Sequence, residues 1–153
     1  MFLGIDLDEA EVAELAARYA GLVEDAVCAC DAVPGAVEFL TGNAGRRKIF
    51  AVSGTPEDEL RRITDRRGIT AYFDAVYGSP RGKEEIIEDV LGRFGKQPDE
   101  AVMVGDTMTD YRAAVATRVP FIGRVEPTRR SPFPDGVNVI SDLTGLAALI
   151  NGS

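Results

Sequence analysis

Histidine is absent from the 153 residues. With it go imidazole acid-base chemistry, Ser-His-Asp and Cys-His triads and imidazole metal sites, which leaves carboxylates as the catalytic groups. Cysteine is nearly absent. Cys28 and Cys30 lie in a segment of helical pattern, where such close neighbours point to different faces and cannot pair. They read as reduced thiols, and two cysteines without histidine do not make a metal site. Basic residues are in deficit: 17 Lys and Arg against 25 Asp and Glu give a net charge of −8, so neither nucleic acid nor an anionic membrane is an expected partner. An anionic ligand therefore needs a local device to hold it. No apolar run approaches the ~18 residues of a membrane span, and the N-terminus lacks the basic start and cleavage site of a signal peptide. A cytoplasmic protein is expected.

What is present is the composition of one packed domain spanning 1–153, with 45% apolar and 27% charged residues. Phe2 to Ile5 form a short apolar run ending in Asp6-Leu7-Asp8. From Glu9 the spacing turns helical, and Val12, Leu15, Tyr19, Leu22, Val23, Ala26 and Cys30 form one stripe. Pro34-Gly35 opens a short helix to about Leu40, and a strand follows at Lys48 to Val52. Thr55-Pro56-Glu57-Asp58 reads as a helix start with Thr55 as N-cap, and that helix stops at Gly68. Further strands are expected at Ala75 to Tyr77, Ala101 to Val104, Val119 to Ile122 and Val137 to Ile140. Helices are expected at Lys83 to Phe94, Thr109 to Ala116 and Leu143 to Ile150. Strands alternating with helices imply a parallel sheet covered on both faces.

Ligands of such a sheet bind beyond the carboxyl ends of its strands. Asp6 and Asp8, Ser53 and Gly54, Asp106, and Lys83 at a helix start all belong to that edge. Asp106 and Asp110, four apart at a strand-to-helix turn, suit Mg²⁺, which takes one or two carboxylates plus water and substrate phosphate. The alternative is that Asp106 caps the helix and Asp110 only favours its positive end. Lys83 in a first helical turn opposes the helix dipole, a conflict that a bound phosphate or clustered carboxylates would resolve. The other reading is a solvated pair with Glu84 or Glu85. The Ser53 hydroxyl and the Gly54 and Thr55 amides offer donors to a phosphoryl oxygen, or form a capped loop.

In order, these residues read Asp-x-Asp, Ser, Lys, then Gly-Asp-x-x-x-Asp. Together with Val33-Pro34-Gly35-Ala36, Val52-Ser53-Gly54-Thr55-Pro56, Tyr72-Phe73-Asp74 and Gly78-Ser79-Pro80, they resemble the haloacid dehalogenase-like (HAD) superfamily, in its phosphoglycolate phosphatase and beta-phosphoglucomutase-like branch. The resemblance implies a three-layer Rossmann-like α/β fold without a complete cap domain. It also implies an Mg²⁺-dependent phosphohydrolase acting on a small phosphorylated metabolite through an aspartyl-phosphate. Asp6 would be the nucleophile, Asp8 the acid-base group, and Ser53, Gly54 and Lys83 the phosphate clamp, with Asp6, Asp8, Asp106 and Asp110 around the metal. Phosphatase and phosphomutase are equally open.

The first motif departs from the family pattern, since only the two aspartates of Asp6-Leu7-Asp8-Glu9-Ala10 match. Residues 9–30 resemble the last helix of a cap, so the chain is either a competent enzyme or a truncated or catalytically silent relative with a binding or structural role. The apolar stripe from Val12 to Cys30 either covers its own sheet or joins a second copy in a homodimer. A phospho-acceptor receiver domain shares these residue types, but its acid and lysine leave different strands.

Overall fold

The computed structural model describes residues 33–151. The strand expected at Phe2 to Ile5, residues 9–30 with their stripe, and Asp6 and Asp8 lie outside that range. Within it the chain alternates as expected: α1 (Ala36–Asn43), β1 (Phe50–Pro56), α2 (Glu57–Arg66), β2 (Ala75–Ser79), α3 (Lys83–Arg93), β3 (Met103–Gly105), α4 (Met108–Thr117), β4 (Phe121–Arg124), β5 (Asn138–Ile140) and α5 (Leu146–Asn151). All strand pairs are parallel, so each connection must cross a face; helices make the crossings from β1 to β4, and the loop 125–137 makes the one from β4 to β5.

The strands form two sheets, β1-β2 and β3-β4-β5. Among the described residues β1 pairs only with β2, and β3 only with β4. One apolar core holds the halves together. Ala51 of β1 and Val104 of β3 share a cluster with Phe39 and Leu40 of α1, Leu60 and Ile63 of α2 and Leu146 of α5. On the opposite face Met103, one residue from Val104 and so pointing the other way, packs with Ile87 of α3 and Ala113 and Ala114 of α4. The result is three layers, helix, sheet, helix. A cavity of about 810 Å³ is lined by Phe50 and Val52 of β1 and by Met103 of β3, with Ile87, Val90 and Ile122 around them.

Local chemistry explains most boundaries. α2 ends at Gly68, whose φ of 69° suits a residue without Cβ, and α3 gives way at Gly95, φ 60°. One expectation is corrected. Thr55 does not cap α2, because β1 runs on to Pro56 and carries Thr55 into the strand, so α2 starts at Glu57 with no side-chain cap. The acidic first turn Glu57, Asp58 and Glu59 faces the positive helix end in its place. Among the described residues no helix is long and apolar enough to cross a membrane.

Candidate active site

β1, β3 and the turn after β2 deliver the candidate residues to one edge. At the end of β1 the pairing with β2 slips between Val52 and Pro56, an irregularity of the kind that re-aims side chains at sheet ends. Ser53 and Thr55 are both buried there. The Ser53 hydroxyl donates to Thr55 Oγ1 at 3.2 Å, and the Thr55 amide donates to Ser53 Oγ at 3.2 Å. The Thr55 amide expected to face a phosphoryl group is thus bonded within β1. Ser53 lies inside β1 beside Gly54, not beyond the strand's end. Gly78 of β2 presses against this turn: a Cβ there would meet Thr55 O at 2.3 Å and Glu57 N at 2.7 Å, so only glycine lets β2 run so close.

Lys83 opens α3 behind Gly82. Its side chain is 6% exposed, and Nζ donates to Asp110 Oδ1 at 2.7 Å across 27 residues of sequence. Lys83 is therefore buried instead of solvated, and Asp110 is an anion that answers the dipole conflict. Asp110 lies in the first turn of α4 and is itself buried. Its other oxygen, Oδ2, accepts from the Thr107 amide at 3.3 Å and the Thr107 hydroxyl at 2.9 Å. Thr107 Oγ1 in turn accepts from the Asp110 amide at 3.2 Å, which completes a capping box. Asp106, read as a helix cap in the alternative view, leaves that task to Thr107 and stands half-buried directly after β3. Gly105 makes room: a Cβ there would lie 2.5 Å from Asp110 Cβ and Oδ2.

These contacts sort the candidates. Lys83 and Asp110 are joined directly, Ser53 is bound to Thr55, and Asp106 follows the end of β3. Asp110, expected as a metal ligand, serves protein donors with both oxygens and anchors Lys83. Among the described residues no group of three or more Asp, Glu or Cys side chains converges as a metal site; of the four carboxylates expected around the metal, Asp106 and Asp110 are described. Asp106 is a hard oxygen donor on a rigid turn, which suits magnesium when water and a phosphate complete the octahedron. Thr107 was not singled out from the sequence, although the Thr-x-x-Asp spacing ahead of a helix is the capping-box signature with Asp in place of Glu.

The family model for haloacid dehalogenase-like hydrolases matches residues 3–117. A phosphoglycolate phosphatase from Rhodospirillum rubrum is 28% identical over 121 residues, which are 75% of this chain and 50% of that protein. The chain thus spans about half the length of this curated relative. Solved structures share the fold: a subfamily IA hydrolase of the superfamily from Geobacter sulfurreducens (TM-score 0.72, 23% identity, 94% of this chain and 75% of that one), a family hydrolase from Streptococcus pneumoniae (0.74, 16%, 94% and 72%) and a 2-haloacid dehalogenase from Pseudomonas syringae (0.70, 17%, 95% and 64%). The β1 serine, the buried lysine and the Gly-Asp turn keep the order of the resemblance, and the match over 3–117 makes this chain a member of the haloacid dehalogenase-like hydrolases.

Proposed function

We propose that the protein hydrolyses a small phosphomonoester with Mg²⁺, Asp6 being the nucleophile. The observation that carries this reading is Lys83: a cation held in a buried helix start, on the side where Ser53 lies in the last half of β1 and Asp106 follows β3. Its fixed charge suits the equatorial oxygens of a phosphoryl group in transfer. The Asp6 carboxylate attacks phosphorus in line, and the leaving oxygen takes a proton from Asp8. The Asp8 carboxylate then deprotonates a water that attacks the same phosphorus, which releases phosphate and restores Asp6. Ser53 and the Gly54 amide hold a phosphoryl oxygen.

Magnesium, held by Asp106 with Asp6 and Asp8, would supply further neutralising charge on the phosphoryl oxygens. Asp110 acts from behind, through Lys83. The pairing pattern supports the place given to Asp6: a parallel strand between β1 and β3 would end beside Ser53 and Asp106. The phosphoglycolate phosphatase relative makes phosphoglycolate the first substrate to try, with sugar phosphates and nucleotides after it.

Phosphate release in Mg²⁺ is the test, with turnover abolished by Asp106→Asn and a beryllofluoride adduct formed on Asp6. A folded wild type that neither turns over any of these substrates nor takes up beryllofluoride refutes the enzyme, and leaves a silent member with a binding or structural role.

A further inference from the structure

We infer that Thr107 is a positioning residue that aims the Lys83 ammonium by fixing the Asp110 carboxylate. A carboxylate turns readily about its terminal torsion, which exchanges its two oxygens. Here that freedom is removed from three sides. Thr107 brings two donors, amide and hydroxyl, to Oδ2 alone. The space vacated at Gly105 receives the same oxygen and Cβ. Oδ1 is then the oxygen left to face Lys83, at 2.7 Å. An ammonium carries three N–H donors at fixed angles, so fixing the direction of one confines the other two to a cone around it. Thr107 thereby sets where the lysine charge points, although it is one residue beyond Asp106 and its own side chain is spent on Asp110.

A plain helix cap would act differently. Removing the cap hydroxyl lowers stability and leaves the chemistry alone, whereas a mis-aimed Lys83 lowers the rate more than substrate binding, because charge on the phosphoryl oxygens is met most strongly in the transition state. The kinetic part of the inference rests on the phosphatase reading; the geometric part does not.

The test compares Thr107→Val, which keeps shape and amide but loses the hydroxyl, with Thr107→Ser, which keeps the hydroxyl. Both are checked for folding by thermal melting, and read by steady-state kinetics in Mg²⁺ and by the Lys83 ¹⁵Nζ–¹H signal at low temperature. The expected result is a fall in kcat of about tenfold in Thr107→Val, KM staying within about threefold, rescue by Thr107→Ser, and a Lys83 signal broadened in the valine variant and sharp in the serine variant. A valine variant that only melts earlier, with kcat and the Lys83 signal unchanged, overturns the inference. So does a serine variant as impaired as the valine one. If the folded wild type hydrolyses nothing, the phosphatase reading fails by itself, and the Lys83 signal decides the positioning role: broadened by valine and kept by serine upholds it, unchanged refutes it.

Discussion

Replacing Lys83 by Met takes from the buried Asp110 carboxylate its cation at 2.7 Å, and Asp110→Asn leaves the buried ammonium facing a neutral amide there. With side-chain exposures of 6% and 2%, neither charge is a surface ion, so the ~0–1 kcal/mol of an exposed pair does not apply. Breaking a buried pair by removing one partner costs about 3–5 kcal/mol, because the survivor keeps its desolvation penalty. That is a large share of the ~5–15 kcal/mol that holds a domain together. With a urea slope of ~2 kcal/mol per molar, each single variant should lower the unfolding midpoint by roughly 1.5–2.5 M. The double variant Lys83→Met/Asp110→Asn removes both charges of the pair together, so its loss should fall short of the sum of the singles by about 2 kcal/mol. Urea denaturation followed by circular dichroism on the four proteins measures this. Single losses below about 1 kcal/mol that simply add in the double would show that the two charges are neither buried nor coupled, and the reasoning would fail with them.

Other substitutions probe the surrounding frame. Gly105→Ala drives a Cβ to 2.5 Å from the Asp110 side chain and should cost about 1–3 kcal/mol by overcrowding; an unchanged melting temperature would count against the close packing. Phe133 lies over Gly123 and is ringed by Phe121 and Tyr111, at centroid distances of 5.2 and 6.2 Å; Phe133→Ala should destabilise by about 3–5 kcal/mol in the same assay. Asp142 accepts from the Thr144 hydroxyl and amide at 2.6 and 3.0 Å, which holds its carboxyl below the usual range, the hydroxyl bond contributing most. Because the folded pKa is the lower one, the stability it adds is present above the ordinary aspartate value and is lost as pH falls through the folded value. A carbon-13 titration placing Asp142 at or above an ordinary aspartate would refute it.

Much of this architecture is written in local pattern. The helix from Lys83 and the strand before Gly105 lie within a residue or two of where spacing puts them, because apolar periodicity and glycine stops are local signals. Gly105-Asp106 at the end of β3 is legible for the same reason, whereas Ser53, expected just after its strand, lies inside β1, which runs on to Pro56. The sequence also shows that Lys83 needs an anion, since a cation in a first helical turn is unfavourable by itself. It does not show which anion: Asp110 is 27 residues away and reaches Lys83 only because two helix starts meet at one sheet edge, a fact of topology. The Thr55 expectation failed because good cap chemistry lost to continued pairing with β2, where the close approach of Gly78 favours a strand. Thr107 is hidden in the sequence because Asp106 beside it is itself a good cap residue.

The two-sheet arrangement also bears on how the chain folds. β1 and β2 are joined by one helix, as are β3 and β4, so most pairing within each half is between near neighbours in sequence, and each half can take shape early. Lys83 opens the helix after β2 and Asp110 lies in the first turn of the helix after β3. Neither can leave water alone without carrying an unpaired charge into a poor dielectric, so a partly docked intermediate, with one charge buried and the other still outside, is the state most heavily penalised. The ion pair therefore makes the meeting of the halves abrupt: they stay hydrated apart or close together, with little in between. That penalty on half-closed states adds cooperativity to the docking of the two helix starts against one another.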